Sequence, residues 1–267
     1  MRNFMILALL ATLCVSAQAA TLYSEDFEGT PVFGTLDEDL GWTKYNPAAQ
    51  GYQAAAFLGP AGNHVAVQPA GNSIHHSPAF VQAPGDTILE LTADAWASEL
   101  YNTAGGEAGI GFDTLTAGDW VNPITFGPGS IPGQDGYPGP GSGGWVVTDG
   151  LSGAGRIRVT DGGAPGVGNR FMGGVAQALT LKIAIDATAS TASFDILDRA
   201  TQVGLIPTFV IPLGGADISV LDTVKLMYFD VHTPNFSEVD NILVTGVPEP
   251  ATMLLLGLGG LMLRRRK

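Results

Sequence analysis

The sequence contains a single cysteine, Cys14, and it lies in an apolar stretch at the N-terminus. That stretch has the order of a secretory signal peptide: Arg2, an apolar run over 4–15, and the small-residue site Ala17-Gln18-Ala19. We therefore expect residues 1–19 to be removed on export, which leaves a mature protein without cysteine. Disulfide bonds and thiol chemistry are then excluded, and stability must come from the core or from bound ions.

Basic residues are also scarce. The chain has 12 Lys and Arg against 25 Asp and Glu, a formal net charge of −13. Five of the basic residues lie at the two ends, Arg2 and the last four positions, so the body is more acidic still. Such a body repels nucleic acids and anionic membranes, and it favours divalent cations and neutral or cationic glycans as partners.

Long hydrophobic runs are missing as well. The apolar part of the C-terminal segment, residues 251–263, would extend only ~20 Å as a helix, against the ~30 Å of a bilayer's hydrocarbon core. This run follows Val247, Pro248, Glu249 and Pro250, and it precedes Arg264, Arg265, Arg266 and Lys267. The basic end is expected to stay cytoplasmic, with the body on the outer side of the inner membrane.

The three ordered features of residues 247–267 resemble the PEP-CTERM sorting signal, although an ordinary short tail anchor is the alternative. The resemblance implies that an exosortase, a membrane protease, recognises the Pro-Glu-Pro motif and removes the tail. The protein would then be held briefly in the inner membrane and released to the cell surface or into an exopolysaccharide matrix.

Helix signals are few between the two ends, whereas alternation of apolar and polar residues is common. Residues 179–185 and 192–196 alternate on either side of a turn, which predicts a hairpin. Residues 88–97 are more continuously apolar and predict a strand covered on both faces. Further strands are expected at 22–28, 64–68, 107–113, 144–148, 155–160, 224–228 and 242–245. The glycine- and proline-rich residues 127–144 predict a long exposed loop.

Many short strands separated by Gly, Pro, Asn and Asp turns predict an all-β fold, an antiparallel β-sandwich. We expect one such domain over residues 20–246. It would be flanked by the signal-peptide helix at 1–19 and by the short hydrophobic helix of the sorting tail at 247–267.

Two short segments of the body resemble concanavalin-like and carbohydrate-binding-module jelly rolls: LYSEDFEGT with the following Gly41-Trp42, and the late VDNILV. The resemblance implies a structural Ca²⁺ shared by acids near the first and last strands, here Glu28 and Asp240, with Asp26 as a further ligand. Such a clip would suit a domain without disulfides. The alternative is that these acids cap strands or lie in solvent.

Sugar binding generally uses exposed aromatic faces beside polar groups. Trp120 and Tyr137 lie in polar, loop-like sequence and are the candidate ligand-binding residues. Trp42 and Trp96 are expected in the core, and Trp145 fits either place.

Enzyme signatures are absent. The sequence has no nucleophile elbow, P-loop or His-Glu-x-x-His, and it lacks the Glu-x-Asp-x-x-Glu strand of the glucanases that the fold resembles. Distant carboxylates such as Glu90, Asp94 and Glu99 leave hydrolysis open. His75 and His76 suggest a metal pair, but adjacent side chains on a strand point to opposite faces and no Cys or third His lies at ligand spacing. We therefore expect them in a loop without a metal.

The sequence therefore predicts an exported, non-catalytic surface or matrix protein that associates with exopolysaccharide. The alternatives are a structural matrix protein with no specific ligand, and a glycan hydrolase.

Overall fold

The computed structural model describes ten stretches of the chain, which form two antiparallel β-sheets. These stretches are residues 19–28, 36–44, 52–55, 64–67, 73–97, 107–114, 124–129, 144–160, 177–229 and 236–248. The signal-peptide helix expected at 1–19 lies outside them except for residue 19. The tail helix expected at 247–267 lies outside them except for Val247 and Pro248, which are in a strand and not a helix. Within these stretches, no helix is both long enough and apolar enough to cross a membrane.

Strands dominate the described residues, with one helical turn, α1 (Leu36–Asp39), and one 3-10 turn, Ile218–Val220. In chain order the strands are β1 (Ala20–Glu25), β2 (Thr43–Lys44), β3 (Tyr52–Ala55), β4 (His64–Val67), β5 (Ser73–His76), β6 (Asp86–Ala97), β7 (Glu107–Asp113), β8 (Ile124–Gly129), β9 (Gly144–Asp149), β10 (Gly155–Thr160), β11 (Gln177–Asp186), β12 (Thr191–Asp198), β13 (Phe209–Pro212), β14 (Thr223–Phe229) and β15 (Phe236–Pro248).

The larger sheet has eight strands in the order β13-β12-β11-β6-β15-β4-β3, and β1 also pairs with β15. The smaller sheet has seven strands in the order β10-β9-β8-β7-β14-β5-β2. One edge of β15 pairs with β6 along most of its length, while the other edge pairs first with β4 and then with β1. The last strand is thus an interior strand that joins the beginning of the body to its end.

The hydrophobic core lies between the two sheets. The ring of Phe126 on β8 lies 5.4 Å, centroid to centroid, from Phe194 on β12 and from Trp145 on β9. Every second residue of β11 and β12 points into this layer, as the alternation of the sequence predicted. Each Leu, Ile or Phe side chain among them contributes about 1.5–3 kcal/mol by leaving water.

The hairpin and the antiparallel sandwich are therefore confirmed. In the hairpin, Ile183 lies opposite Phe194 and Leu181 opposite Ile196. Strands β7 and β10 have the predicted bounds, whereas β15 extends well beyond the predicted 242–245 because its pairing with β6 runs from Phe236 to Pro248.

The sequence-based expectations for β5, β6 and the segment that begins at residue 127 were wrong. His75 and His76 lie on β5 and not in a loop, because β5 pairs with β14 on one side and with β2 on the other. Residues 127–129 continue β8, so only 130–143 of the predicted glycine-rich loop lies outside the described residues. Strand β6 is buried on one face alone, since Glu90, Thr92 and Asp94 are half-buried on the other.

Candidate functional site

The first and last strands meet around an open cavity. In the β1–β15 pair, Ser24 lies opposite Leu243 and Glu25 opposite Ile242. Beside this pair is a cavity of about 340 Å³, which is lined by Ser24, Glu25, Asp26, Asn241, Ile242 and Leu243. The sequence placed its candidate metal ligands in this region of the chain.

The chain leaves β1 through a tight turn held by two carboxylates. The amide N–H of Phe27 donates to Oε1 of Glu25 at 2.9 Å, and the amide N–H of Glu28 donates to Oδ1 of Asp26 at 3.2 Å. Phe27 has a φ of +57°, which is costly for a bulky residue. Its ring is fully buried and lies 6.4 Å from that of Trp42, so packing holds it in place.

This turn corrects the predicted strand over 22–28. Alternation would have placed Asp26 and Glu28 on one face, but the strand ends at Glu25. Asp26 instead lines the cavity, and both acids are exposed.

The opposite wall of the cavity is a bulge in β15. Asp240 lies opposite Asp94 and Leu243 opposite Thr92, so β15 carries one extra residue here. Asn241 takes the left-handed conformation, with a φ of +50°. Its side-chain Nδ2 donates to Oδ2 of Asp94 at 3.0 Å and to Oδ2 of Asp240 at 3.2 Å. The amide of Asn241 thus bridges two carboxylates that face each other across the strands.

Asp94 is the centre of a larger polar network on the outer face of this sheet. Its Oδ1 accepts a hydrogen bond from Oγ1 of Thr180 at 2.8 Å, and its Oδ2 accepts one from Nε of Arg199, also at 2.8 Å. Gln202 in turn donates to Oγ1 of Thr180 at 3.1 Å. The network fixes Asp94 in the orientation that receives Asn241.

The three predicted calcium ligands are only partly brought together. Asp26 lines the cavity with Glu25 and Asn241, whereas Glu28 lies in the turn and does not line the cavity. Asp240 is 2% exposed, and each of its oxygens accepts a hydrogen bond from Asn241. In the part of the chain that the structure describes, no group of three or more His, Cys, Asp or Glu residues is placed to hold a metal. Ca²⁺ takes ~6–8 oxygens, which is more than the two carboxylates that line this cavity provide.

Glu25 is a cavity-lining carboxylate whose charged form is disfavoured by its surroundings. Burial raises the pKa of its carboxyl, the hydrogen bond from the Phe27 amide partly offsets that rise, and the negative charge of Asp26 adds to it. A cation in the cavity would favour the charged form of Glu25 and relieve this cost.

A second polar cluster lies buried on the face of the seven-stranded sheet that points away from the core. Asp113 Oδ2 accepts hydrogen bonds from Nε2 of His76 and from Nζ of Lys225, each at 2.9 Å. The side chains of Asp113 and Lys225 are 0% exposed and that of His76 is 2% exposed. Burial alone raises the pKa of Asp113, but the hydrogen bond from His76 and the charge and hydrogen bond of Lys225 outweigh burial and lower it.

His75 and His76 do not form a metal pair. His75 lies opposite Leu226 and His76 lies opposite Lys225, so the two imidazoles point to opposite faces of the sheet. The alternation argument against a shared metal is confirmed, although the loop prediction was not.

The candidate catalytic carboxylates are badly spaced for hydrolysis. Glu90 and Asp94 lie on the same face of β6 but four residues apart, which is about 13 Å along a strand. Glycosidase carboxylates lie about 5–9.5 Å apart. Glu90 also pairs with Nζ of Lys182 at 2.7 Å, and Asp94 with Arg199. This pair is therefore structural, and Glu99 lies outside the described residues.

The tryptophans fall into two groups, buried core residues and a candidate sugar-binding residue. Trp42 is 2% exposed and Trp145 is 1% exposed, so both belong to the core. The side chain of Trp96 is not among those described. Trp120 and Tyr137 fall between the described strands, in the β7–β8 and β8–β9 connections respectively.

The sorting motif begins inside the sheet. Val247 and Pro248 are the last residues of β15, while Glu249, Pro250, Arg264, Arg265 and Arg266 lie outside the described residues.

Sequence reasoning missed the buried pair of Asp113 and Lys225. A signal existed, because Lys225 interrupts the apolar strand VKLMYF, and a lysine in such a strand needs an acidic partner if it is buried. The identity of that partner, 112 residues away in sequence, could not be read from the pattern.

Comparison with known proteins supports two separate statements. Residues 246–267 match the PEP-CTERM protein-sorting motif. The chain thus carries the signal of an exported protein that is held transiently in the membrane before release. No curated protein matches the chain in sequence.

Solved structures share the fold. The CBM2 module of the evolved Dit protein of Lactobacillus casei phage J-1 aligns with a TM-score of 0.51 at 11% identity, covering 87% of this chain and 97% of that chain. Peanut lectin aligns with a TM-score of 0.47 at 11% identity, covering 85% and 98%. The globular domain of T. cruzi calreticulin aligns with a TM-score of 0.48 at 11% identity, covering 89% of this chain and 92% of that chain. The alignment with the CBM2 module supports the β-sandwich fold of the body.

Proposed function

We propose that this protein is an exported, non-catalytic surface or matrix protein whose sandwich domain binds extracellular polysaccharide. The observation that carries the proposal is the fold of the body, which over most of its length has the architecture of a carbohydrate-binding module. The sorting signal at residues 246–267 supports an extracellular site of action. The acidic charge of the chain favours a neutral or cationic glycan.

Trp120 and Tyr137 are the proposed stacking residues. Trp42 and Trp145 are unavailable because their rings are buried. The large hydrophobic side chains that are exposed in the described stretches are all aliphatic, with Val81 and Val203 the most exposed. An aromatic platform for a pyranose ring is therefore expected in the connections of the smaller sheet.

The test is binding of the full chain, in mild detergent with millimolar calcium, to a panel of polysaccharides that includes exopolysaccharide from the producing cells. We expect saturable, selective binding. Trp120→Ala and Tyr137→Ala should each weaken it about tenfold, or ~1.4 kcal/mol, with unchanged melting temperature. Val210→Ala is the matched control, because it removes an exposed side chain from β13, an edge strand of the larger sheet.

Retained binding in both aromatic variants would remove these residues from the site. A folded protein that binds no glycan would overturn the binding proposal and favour a structural matrix role without a specific ligand.

The proposal includes a structural Ca²⁺ at the β1–β15 cavity. Asp26, Glu25 and Asn241 would contribute oxygen ligands there, and Glu28 lies close in sequence in the turn. The ion would supply positive charge to an acidic junction that has no disulfide to close it.

A further inference from the structure

The folded body and the sorting signal overlap. The matched motif begins at residue 246, whereas β15 continues to Pro248. Val247 lies opposite Ile88, and Pro248 lies opposite Asp86. The first three residues of the signal are therefore residues of the sheet.

Gly246 is held on both edges. It lies opposite Leu89 of β6 and opposite Ala20 of β1. A Cβ atom at this position would overlap the carboxylate of Asp86. That carboxylate is itself fixed, because its Oδ2 accepts a hydrogen bond from the amide N–H of Ala83 at 3.0 Å. A side chain at Gly246 would therefore displace the Asp86 carboxylate from this hydrogen bond or move the end of β15.

The covalent chain leaves little room between the sheet and the membrane segment. Only Glu249 and Pro250 separate Pro248 from the apolar run that begins at Ala251. Even fully extended, these steps span at most about 10 Å. A membrane enzyme that reads Pro-Glu-Pro must therefore approach within that distance of a folded sheet.

We propose that the last residues of β15, Gly246–Pro248, control access to the sorting signal. An exosortase would take the motif as an extended peptide after these residues detach from β6 and β1. The enzyme carries out the cleavage. The body affects the cleavage rate only through the fraction of molecules in which Gly246–Pro248 are detached from the sheet.

Detachment is local and therefore feasible. The β15–β6 register shifts between Val247 and Pro248, and a proline has no N–H to give to the sheet. Strand ends of this kind open at a small fraction of the global unfolding free energy. The rate of tail removal should then follow the stability of this strand end when opening is fast relative to cleavage.

The experiment follows tail removal by pulse-chase in cells whose exosortase processes the wild-type chain. The first variant inserts Gly-Ser-Gly-Ser between Thr245 and Gly246, which separates an intact motif from the sheet. We expect tail removal to be about fivefold faster. Gly246→Ala, which drives the strand end away from Asp86, should also accelerate it.

Three controls isolate the cause. The same four residues inserted between Thr188 and Ala189, in the exposed turn after β11, should leave the rate unchanged. Ile211→Val lowers global stability at the far edge of the same sheet and should not reproduce the effect. Glu249→Ala should stop processing in every background, which ties the readout to the motif.

Unchanged or slower processing in the insertion and Gly246→Ala variants would overturn the proposal. Equal acceleration by the turn insertion or by Ile211→Val would also overturn it, because the effect would then be one of general destabilisation. These outcomes do not depend on whether the body binds a glycan.

Discussion

Three side chains, Asp113, Lys225 and His76, place charge where a β-sandwich normally has none. Burying an ion costs several kcal/mol, which is recovered only when the partners are well oriented. Here one carboxylate oxygen receives both donors at 2.9 Å. The cluster ties β5, β7 and β14 together in one register, because each residue comes from a different strand.

Asp113→Asn should destabilise the fold by about 3–5 kcal/mol, because it leaves Lys225 buried without a counter-charge. Chemical denaturation at neutral pH measures this loss. The double variant Asp113→Asn with Lys225→Met is the control and should recover much of the stability. If Asp113→Asn lowers the free energy of unfolding by less than about 1 kcal/mol, the buried ion pair does not stabilise the fold as expected.

The same cluster sets an acid limit on stability. The pKa of Asp113 is lower in the folded protein than in an unfolded chain. Its stabilisation is therefore complete above the ordinary carboxyl pKa of about 4, and it is lost as the pH falls through the lowered value. We expect the free energy of unfolding of the wild type to decrease as the pH falls through that range. The free energy of unfolding of Asp113→Asn should depend less on pH there, and denaturant titrations at several pH values measure both.

At the scale of elements, β15 connects the cavity at the β1–β15 pair to the start of the sorting motif. It pairs with β6, β4 and β1, carries the bulge at the cavity and ends inside the sorting motif. The bulge depends on Asn241, since a φ of +50° is tolerated by Asn and Gly and disfavoured for β-branched residues.

Two substitutions separate the backbone role of Asn241 from its amide role. Asn241→Val should cost about 2–3 kcal/mol, through the strained φ and the lost hydrogen bonds to Asp94 and Asp240. Asn241→Gly keeps the conformation and should cost about 1 kcal/mol less. Thermal unfolding of both variants measures the difference, and equal losses would mean that the backbone conformation is not strained for valine.

At the scale of the whole molecule, the β1–β15 pair closes the body by joining its first strand to its last. The junction carries Glu25 and Asp26 beside the cavity, and burial already raises the pKa of Glu25. A bound divalent cation would stabilise the pair and with it the whole sandwich, since anything that binds only the folded state shifts the unfolding equilibrium.

Chelation should therefore lower the melting temperature of the calcium-loaded protein by several degrees, about 2–4 °C per kcal/mol for a domain of this size. Asp26→Asn should abolish the difference between chelated and calcium-loaded samples. Asp217→Asn is the control, because this acid lies far along the chain and caps the 3-10 turn. Identical melting curves of the wild type with and without chelator would exclude a structural calcium.

The local features of this protein could be predicted from its sequence because they depend on neighbouring residues. Alternation over 179–196 predicted the hairpin, since the side chains of a strand point to opposite faces whatever the rest of the fold does. The ordered motif, apolar run and basic end predicted the sorting signal for the same reason: a short linear segment contains all of its information. The scarcity of basic residues likewise determined the acidic charge of the chain.

Only the tertiary structure decided which distant residues meet. His75 and His76 became a strand because β14 supplies a pairing edge, and the predicted strand at 22–28 stopped at Glu25 because Phe27 packs on Trp42. The partnership of Asp113 with Lys225, and of Asn241 with Asp94, spans more than a hundred residues. Such contacts arise from strand order and register, which are settled by the packing of the entire core and by no single stretch of the chain.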